Sequence, residues 1–179
     1  LQWVVSAYLL ALAAFLIVAG RLADLLGRKT WLLIGCVIFG GASLVAGAAT
    51  SAELLIATRI VQGVGAAILM PVCIAVVTNA VPPEQVRRAV GMVFGVAAVG
   101  QGLGPLFGGV ITDLSSWRWV YWINVPIVCV VAVLVLWVVP QSRDTSARRR
   151  IDWPGLVLVI LGIAAFTYGW MDTHCSLRD

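Results

Sequence analysis

Residues 54–77 read LLIATRIVQGVGAAILMPVCIAVV, an unbroken run of 24 residues whose only charge is Arg59. As a helix this run rises about 36 Å, enough to cross a hydrocarbon layer of about 30 Å. Inside lipid every backbone N–H and C=O must be paired within the protein, which leaves helices and closed barrels. A barrel strand alternates apolar and polar residues over about ten positions, and this run does neither. It is therefore predicted to be a transmembrane α-helix. Five further runs pass the same test, at about 1–19, 31–49, 90–111, 119–139 and 154–170. The predicted fold is all-α, a polytopic helical membrane bundle of about six spans.

The composition of the whole chain agrees. Of 179 residues, 61% are hydrophobic and 11% charged, with a mean hydropathy of +1.03, whereas a soluble domain carries roughly 25% charged residues. A soluble globule, a disordered chain, collagen, a coiled coil and a disulfide scaffold are excluded. The net charge of +4 would suit nucleic acid, but most basic residues lie between the apolar runs, as topology signals do. The expected partner is the lipid bilayer and not nucleic acid. Four scattered cysteines (Cys36, Cys73, Cys129, Cys175) show no CxxC or Cys/His spacing, so neither a metal site nor a disulfide is expected, and no cofactor is implied.

Charge also orients the spans. The first, third and fifth connections hold Arg21, Arg28, Lys29, Arg87, Arg88, Arg143, Arg148, Arg149 and Arg150, while the second and fourth hold only Arg118. The positive-inside bias places loops 20–30, 81–89 and 140–153 in the cytoplasm and the start of the first span outside. An intact protein with a cytoplasmic N-terminus then needs an odd number of spans before Leu1. A chain that opens without methionine inside an apolar run is accordingly read as a fragment. Trp3, Trp117, Trp119, Tyr121, Trp122, Trp137 and Trp153 lie near span ends, as an interfacial aromatic belt requires.

Three constellations carry chemistry. The first connection, Gly20-Arg21-Leu22-Ala23-Asp24-Leu25-Leu26-Gly27-Arg28-Lys29-Thr30, is dense in charge for so short a turn. Asp24 and Arg28 are four apart, so a helical turn would bring carboxylate and guanidinium within pairing distance. The same residues also read as a basic loop that only sets topology. In the third span, Arg59 lies about one turn inside apolar sequence. Either it snorkels past Glu53 to the headgroups, or it faces a packed or water-lined interior beside Gln62, Gly63, Ala66 and Ala67. The interior position would suit a cation that biases a carboxylate or an ionic substrate, although no carboxylate inside the spans can partner it. In the fourth span Gly100, Gly104 and Gly108 recur every four residues, leaving a stripe on which another helix can pack closely. Pro105 removes a backbone donor and is expected to kink this helix, freeing a carbonyl near Gln101. Glycine spacing alone is equally a packing motif without transport meaning.

Together these stretches resemble the major facilitator superfamily. The Gly20–Thr30 loop is similar to its loop signature, the run around Arg59 and Gln62 to its proton-coupling motif, and Gly100-x-x-x-Gly104-Pro105-x-x-Gly108-Gly109 to the antiporter motif of exporters. The opening Gln2-Trp3-Val4-Val5-Ser6-Ala7-Tyr8-Leu9-Leu10 and the later Trp117-Arg118-Trp119-Val120-Tyr121-Trp122-Ile123-Asn124-Val125-Pro126 look like the fourteen-span drug:proton antiporter branch. The resemblance runs from Leu1 to about Tyr168 and implies that the six spans are helices two to seven. Residues 1–139 would then belong to the N-terminal transport bundle without its first helix, 140–153 would be a basic cytoplasmic linker, and 154–179 would be an additional helix.

The resemblance implies roles for particular residues. Gly20, Asp24, Gly27 and Arg28 would form the loop that holds the two halves in one conformation. Arg59 and Gln62 would serve proton coupling, and Gly100, Gly104, Pro105, Gly108 and Gly109 the antiporter hinge. Leu25 stands where a basic residue is common, which weakens the charge relay of that loop. The acidic proton carrier belongs to the first helix, outside this sequence. After Tyr168 the residues 169–179 turn polar early, an expectation of truncation or an altered frame.

The implied function is transmembrane transport, with protons moving inward against outward-moving hydrophobic or cationic small molecules by alternating access in a cell (inner) membrane. The partners implied are a small-molecule substrate, protons and the C-terminal half of the same transporter. An ion-coupled importer shares the loop signature, and a non-transporting bundle shares the hydropathy. An enzyme is not expected, since the spans hold no His, Asp, Glu or Ser/His cluster. The absence of GxxxxGK[ST] leaves an ion gradient as the energy source of this chain.

Overall fold

In the computed structural model the described residues are 2–140 and the helical positions 155, 157, 158, 161, 162, 165 and 169; the side chains of residues 2 and 24–26 lie outside the description. The helices are α1 (Gln2–Leu26), α2 (Arg28–Gly47), α3 (Ala52–Ala80), α4 (Val86–Leu114), α5 (Arg118–Trp122) and α6 (Asn124–Val138), with a single 3₁₀ turn at Pro83–Gln85. Five stretches among the described residues are long and apolar enough to cross a bilayer: Trp3–Ala23, Arg28–Gly47, Ala52–Ala80, Pro83–Leu114 and Arg118–Val138. The expected sixth span falls largely outside the described residues.

Local sequence sets the ends. Ser51 caps α3 by accepting a hydrogen bond from the Leu54 N–H at 3.2 Å, and Glu53 in the first turn suits the positive end of the helix. At its other end Val81 is forced into extended backbone (φ −122°, ψ 153°) because Pro82 follows it. The expected loop 20–30 is nearly all helix. Residues 20–26 complete α1, residues 28–30 open α2, and the break is Gly27 alone, at φ 102°. Charge limits a hydropathy reading of a helix, but the helical backbone itself continues into polar surroundings. The fifth span is also divided, at Ile123 between α5 and α6.

Small residues bring the first three helices together. Ala7, Ala11, Ala14, Ala19 and Ala23 form the buried face of α1, and a Cβ at Gly63 of α3 would lie 2.5 Å from the Tyr8 carbonyl oxygen and 2.8 Å from the Ala11 methyl. A Cβ at Gly65 would meet the Phe39 backbone nitrogen of α2 at 2.8 Å. With no hydrophobic contrast between helix and lipid, such close backbone approach is what supplies attraction, through van der Waals contact. Ala19, Ala23, Leu32, Ile68, Val72 and Val135 close the core where α1, α2, α3 and α6 converge. Trp31 ties α2 to α1 by donating its indole N–H to the Ala19 carbonyl at 2.9 Å.

By contrast α4 lies at the edge and has no buried residue. A Cβ at Gly100, Gly104 or Gly108 would meet nothing within 4 Å, so the expected glycine stripe is an open face among the described residues. Pro105 sits inside a continuous helix.

Candidate functional site

The site is built on the first turns of α3. Counting from its Ser51 cap, the 100° step of the helix carries Thr58 and Gln62 into the bundle, where both are buried. Arg59 lies beside them and is half-buried. Its Nε donates to the Val4 carbonyl of α1 at 3.1 Å and its Nη1 to Oε1 of Gln62 at 2.6 Å. The guanidinium lies over the Tyr8 ring at 4.3 Å and 6.0 Å from the Tyr121 ring. Of the two orientations open from sequence, Arg59 takes the interior one. It is held by a carbonyl dipole and aromatic faces, which stabilise a cation without neutralising it.

A second tier fixes Gln62, which is 1% exposed. Its Nε2 donates to Oγ of Ser43 at 2.7 Å, and Ser43 donates to the Phe39 carbonyl one turn back at 2.7 Å. The result is a directed chain, Arg59 to Gln62 to Ser43 to the α2 backbone, in which every member gives a proton toward α2. Chains of this kind polarise one another in a low dielectric. Two of the five N–H donors of Arg59 are thereby committed. The remaining three have the fork geometry that takes a carboxylate, and no described residue supplies one.

Two of the five antiporter-like residues, Pro105 and Gly108, are brought to the same region. Pro105, Gly108 and Thr112 of α4 line a cleft of about 770 Å³ together with Val4, Leu55, Trp117, Arg118 and Tyr121. Tyr121 thus borders both the cleft and Arg59. Of the aromatic residues expected at span ends, Trp3, Trp119 and Trp137 are exposed, while Tyr121 is turned inward. Arg118 closes the rim, donating to the Ala49 carbonyl at 3.2 Å and lying over Trp117 at 4.6 Å. Gly100, Gly104 and Gly109 lie along α4 outside the cleft lining.

The loop residues stand apart from this cluster. Gly27 supplies the one positive φ among the described residues, and Gly20 packs at ordinary distance against Pro71, to which a Cβ would lie 3.7 Å. Arg28 donates to the Ala75 carbonyl of α3 at 3.4 Å, and Lys29 to the Leu136 carbonyl of α6 at 2.7 Å. Asp24 lies in the last turns of α1 with its side chain outside the description, so its pairing with Arg28 stays an expectation. Sequence reasoning did not find Ser43 or give Tyr8 a role. A lone hydroxyl after Gly40-Gly41-Ala42 in an apolar span was the available signal.

Residues 1–171 match the family model of the Major Facilitator Superfamily. The chain belongs to that superfamily. Among its major facilitator relatives, the lincomycin resistance protein of Streptomyces lincolnensis is 42% identical over 161 residues, covering 88% of this chain and 32% of that protein. The cephamycin export protein CmcT of Amycolatopsis lactamdurans is 42% identical, over 97% of this chain and 36% of its own length. Multidrug resistance protein 3 of Bacillus subtilis is 34% identical, over 93% and 32%. The chain spans about a third of the length of these curated relatives. Superfamily membership and the apolar helices make it a multi-pass membrane protein, as its apolar runs led one to expect.

Proposed function

We propose that this chain is the proton-coupling part of an exporter in the cell (inner) membrane, exchanging protons for hydrophobic or cationic small molecules. The observation that carries the reading is Arg59, a cation held inside the bundle by Val4, Gln62 and Tyr8, with three of its N–H donors uncommitted among the described residues. A carboxylate placed opposite it elsewhere in the complete transporter would be paired when ionised and released when protonated. Protonation would therefore change which conformation is favoured. Pro105 and Gly108 line the cleft that Tyr121 borders, which supports α4 as the helix that responds to that change. The names of the relatives, which include a cephamycin export protein and multidrug resistance proteins, support outward transport.

In this reading residues 1–139 form the transport bundle, 140–153 a cytoplasmic basic linker and 154–179 a further helix. Loops 20–30 and 81–89 face the cytoplasm with the linker. Two helical bundles rock about a site near the midplane, the second supplied by the C-terminal half. The test is efflux of a cationic dye from cells expressing the complete gene, with and without a protonophore. Efflux that collapses with the proton gradient is expected. Accumulation of the dye driven by the gradient would show an importer instead.

A further inference from the structure

The Arg59 group has a support on a different helix that no motif includes. Ser43 is 0% exposed, in the C-terminal third of α2, and its hydroxyl has one proton. That proton is committed to the Phe39 carbonyl at 2.7 Å, since a carbonyl can only accept. Toward Gln62 the hydroxyl can therefore only accept, and the amide nitrogen of Gln62 must face it, at 2.7 Å. The amide has two ends. Fixing the nitrogen on Ser43 turns Oε1 to the guanidinium, where it sits 2.6 Å from Nη1. If the amide turned over, two N–H groups would oppose the N–H groups of Arg59, and the cation would lose its only side-chain acceptor among the described residues.

From this geometry we infer that Ser43 is a positioning residue of the coupling site: through Gln62 it sets where the Arg59 guanidinium stands and how strongly it attracts an acid. The inference rests on the reading of Arg59 as the coupling cation. Among the described residues Ser43 is linked to Arg59 through the Gln62 amide, so its effect on the guanidinium passes through that group. Gly65 of α3 makes this contact possible, since a Cβ there would be 3.0 Å from Cα of Phe39, one turn from Ser43. The i−4 bond from a helical serine to the backbone is common. Its consequence here is that a rotor becomes a fixed acceptor.

The test is a double-mutant cycle in the complete transporter, reconstituted in proteoliposomes and driven by an imposed pH gradient, with ethidium as the exported probe. Ser43→Ala is expected to lower the turnover of proton-driven efflux about five- to tenfold, as loss of a buried acceptor in a charged network does. KM for ethidium should stay unchanged, and the pH midpoint of efflux should shift in the same direction as in Gln62→Met. Adding Ser43→Ala to Gln62→Met should do nothing further, because the path runs through the amide. Ser43→Thr, which keeps the hydroxyl, should restore the wild-type pH profile. Should Ser43→Ala fail to insert, Ser43→Cys takes its place, with similar volume and a weak acceptor. Additive effects of the two substitutions, or an unmoved pH midpoint, would overturn the positioning role. If Arg59→Ala itself exports with unchanged gradient dependence, the reading of the coupling site fails and this inference with it.

Discussion

Gly63 offers the most quantitative test of how the helices hold the site. A Cβ there would lie 2.5 Å from the Tyr8 carbonyl oxygen, 2.8 Å from the Ala11 methyl and 3.2 Å from the Leu12 nitrogen. Nonbonded carbon contacts begin to be favourable near 3.5 Å, so Gly63→Ala must push α1 outward by about 0.7 Å. Two of the three obstacles are backbone atoms, which no rotamer change can clear. Overpacking of this kind costs about 1–3 kcal/mol. The same displacement would lengthen the bond from Arg59 Nε to the Val4 carbonyl, now 3.1 Å, to about 3.8 Å, beyond hydrogen-bonding range. Stability and coupling should therefore fall together. The assay is the apparent melting temperature of the purified transporter in nanodiscs, set beside Gly41→Ala, where a Cβ meets nothing within 4 Å. Gly63→Ala should melt lower than wild type by several degrees and Gly41→Ala should not. Equal melting temperatures for the two variants would refute the close packing of α1 on α3.

Other substitutions separate the remaining parts. Gly27→Ala should cost about 1–3 kcal/mol, because φ 102° is closed to a residue with a Cβ, while Gly20→Ala should be near neutral; thermal melts check both. Tyr8→Phe keeps the aromatic face under Arg59 and should export like wild type, whereas Tyr8→Ala should lose about 0.5–2 kcal/mol of interaction, read as a several-fold fall in efflux rate. Lys29→Met removes the donor to the Leu136 carbonyl in the last turn of α6. Faster amide hydrogen exchange at the end of α6 is expected, with a global cost below about 1 kcal/mol.

Hydropathy made the spans legible because lipid demands long apolar helices, whatever their partners. It misplaced the first connection, since charge marks where a helix leaves lipid and not where it ends: α1 runs through Arg21 and stops only at Gly27. The bond between Arg59 and Gln62 was readable as an i, i+3 pair. Ser43 and Tyr8 were not, because they reach Arg59 and its partner from α2 and α1, and helix rotation and crossing are set by contacts such as those at Gly63 and Gly65. Tyr121 shows the same limit, for an aromatic near a span end fits an interfacial belt until the fold turns it toward a half-buried cation. The stripe of Gly100, Gly104 and Gly108 was readable as a surface, and it is an open one among the described residues.

The central claim is that Arg59 couples transport to protons. The most direct measurement is ethidium efflux by the complete transporter carrying Arg59→Ala, in membranes where insertion and abundance are verified, under an imposed inward proton gradient. The account expects insertion to be preserved and gradient-driven efflux to disappear. Undiminished efflux at equal abundance would contradict it.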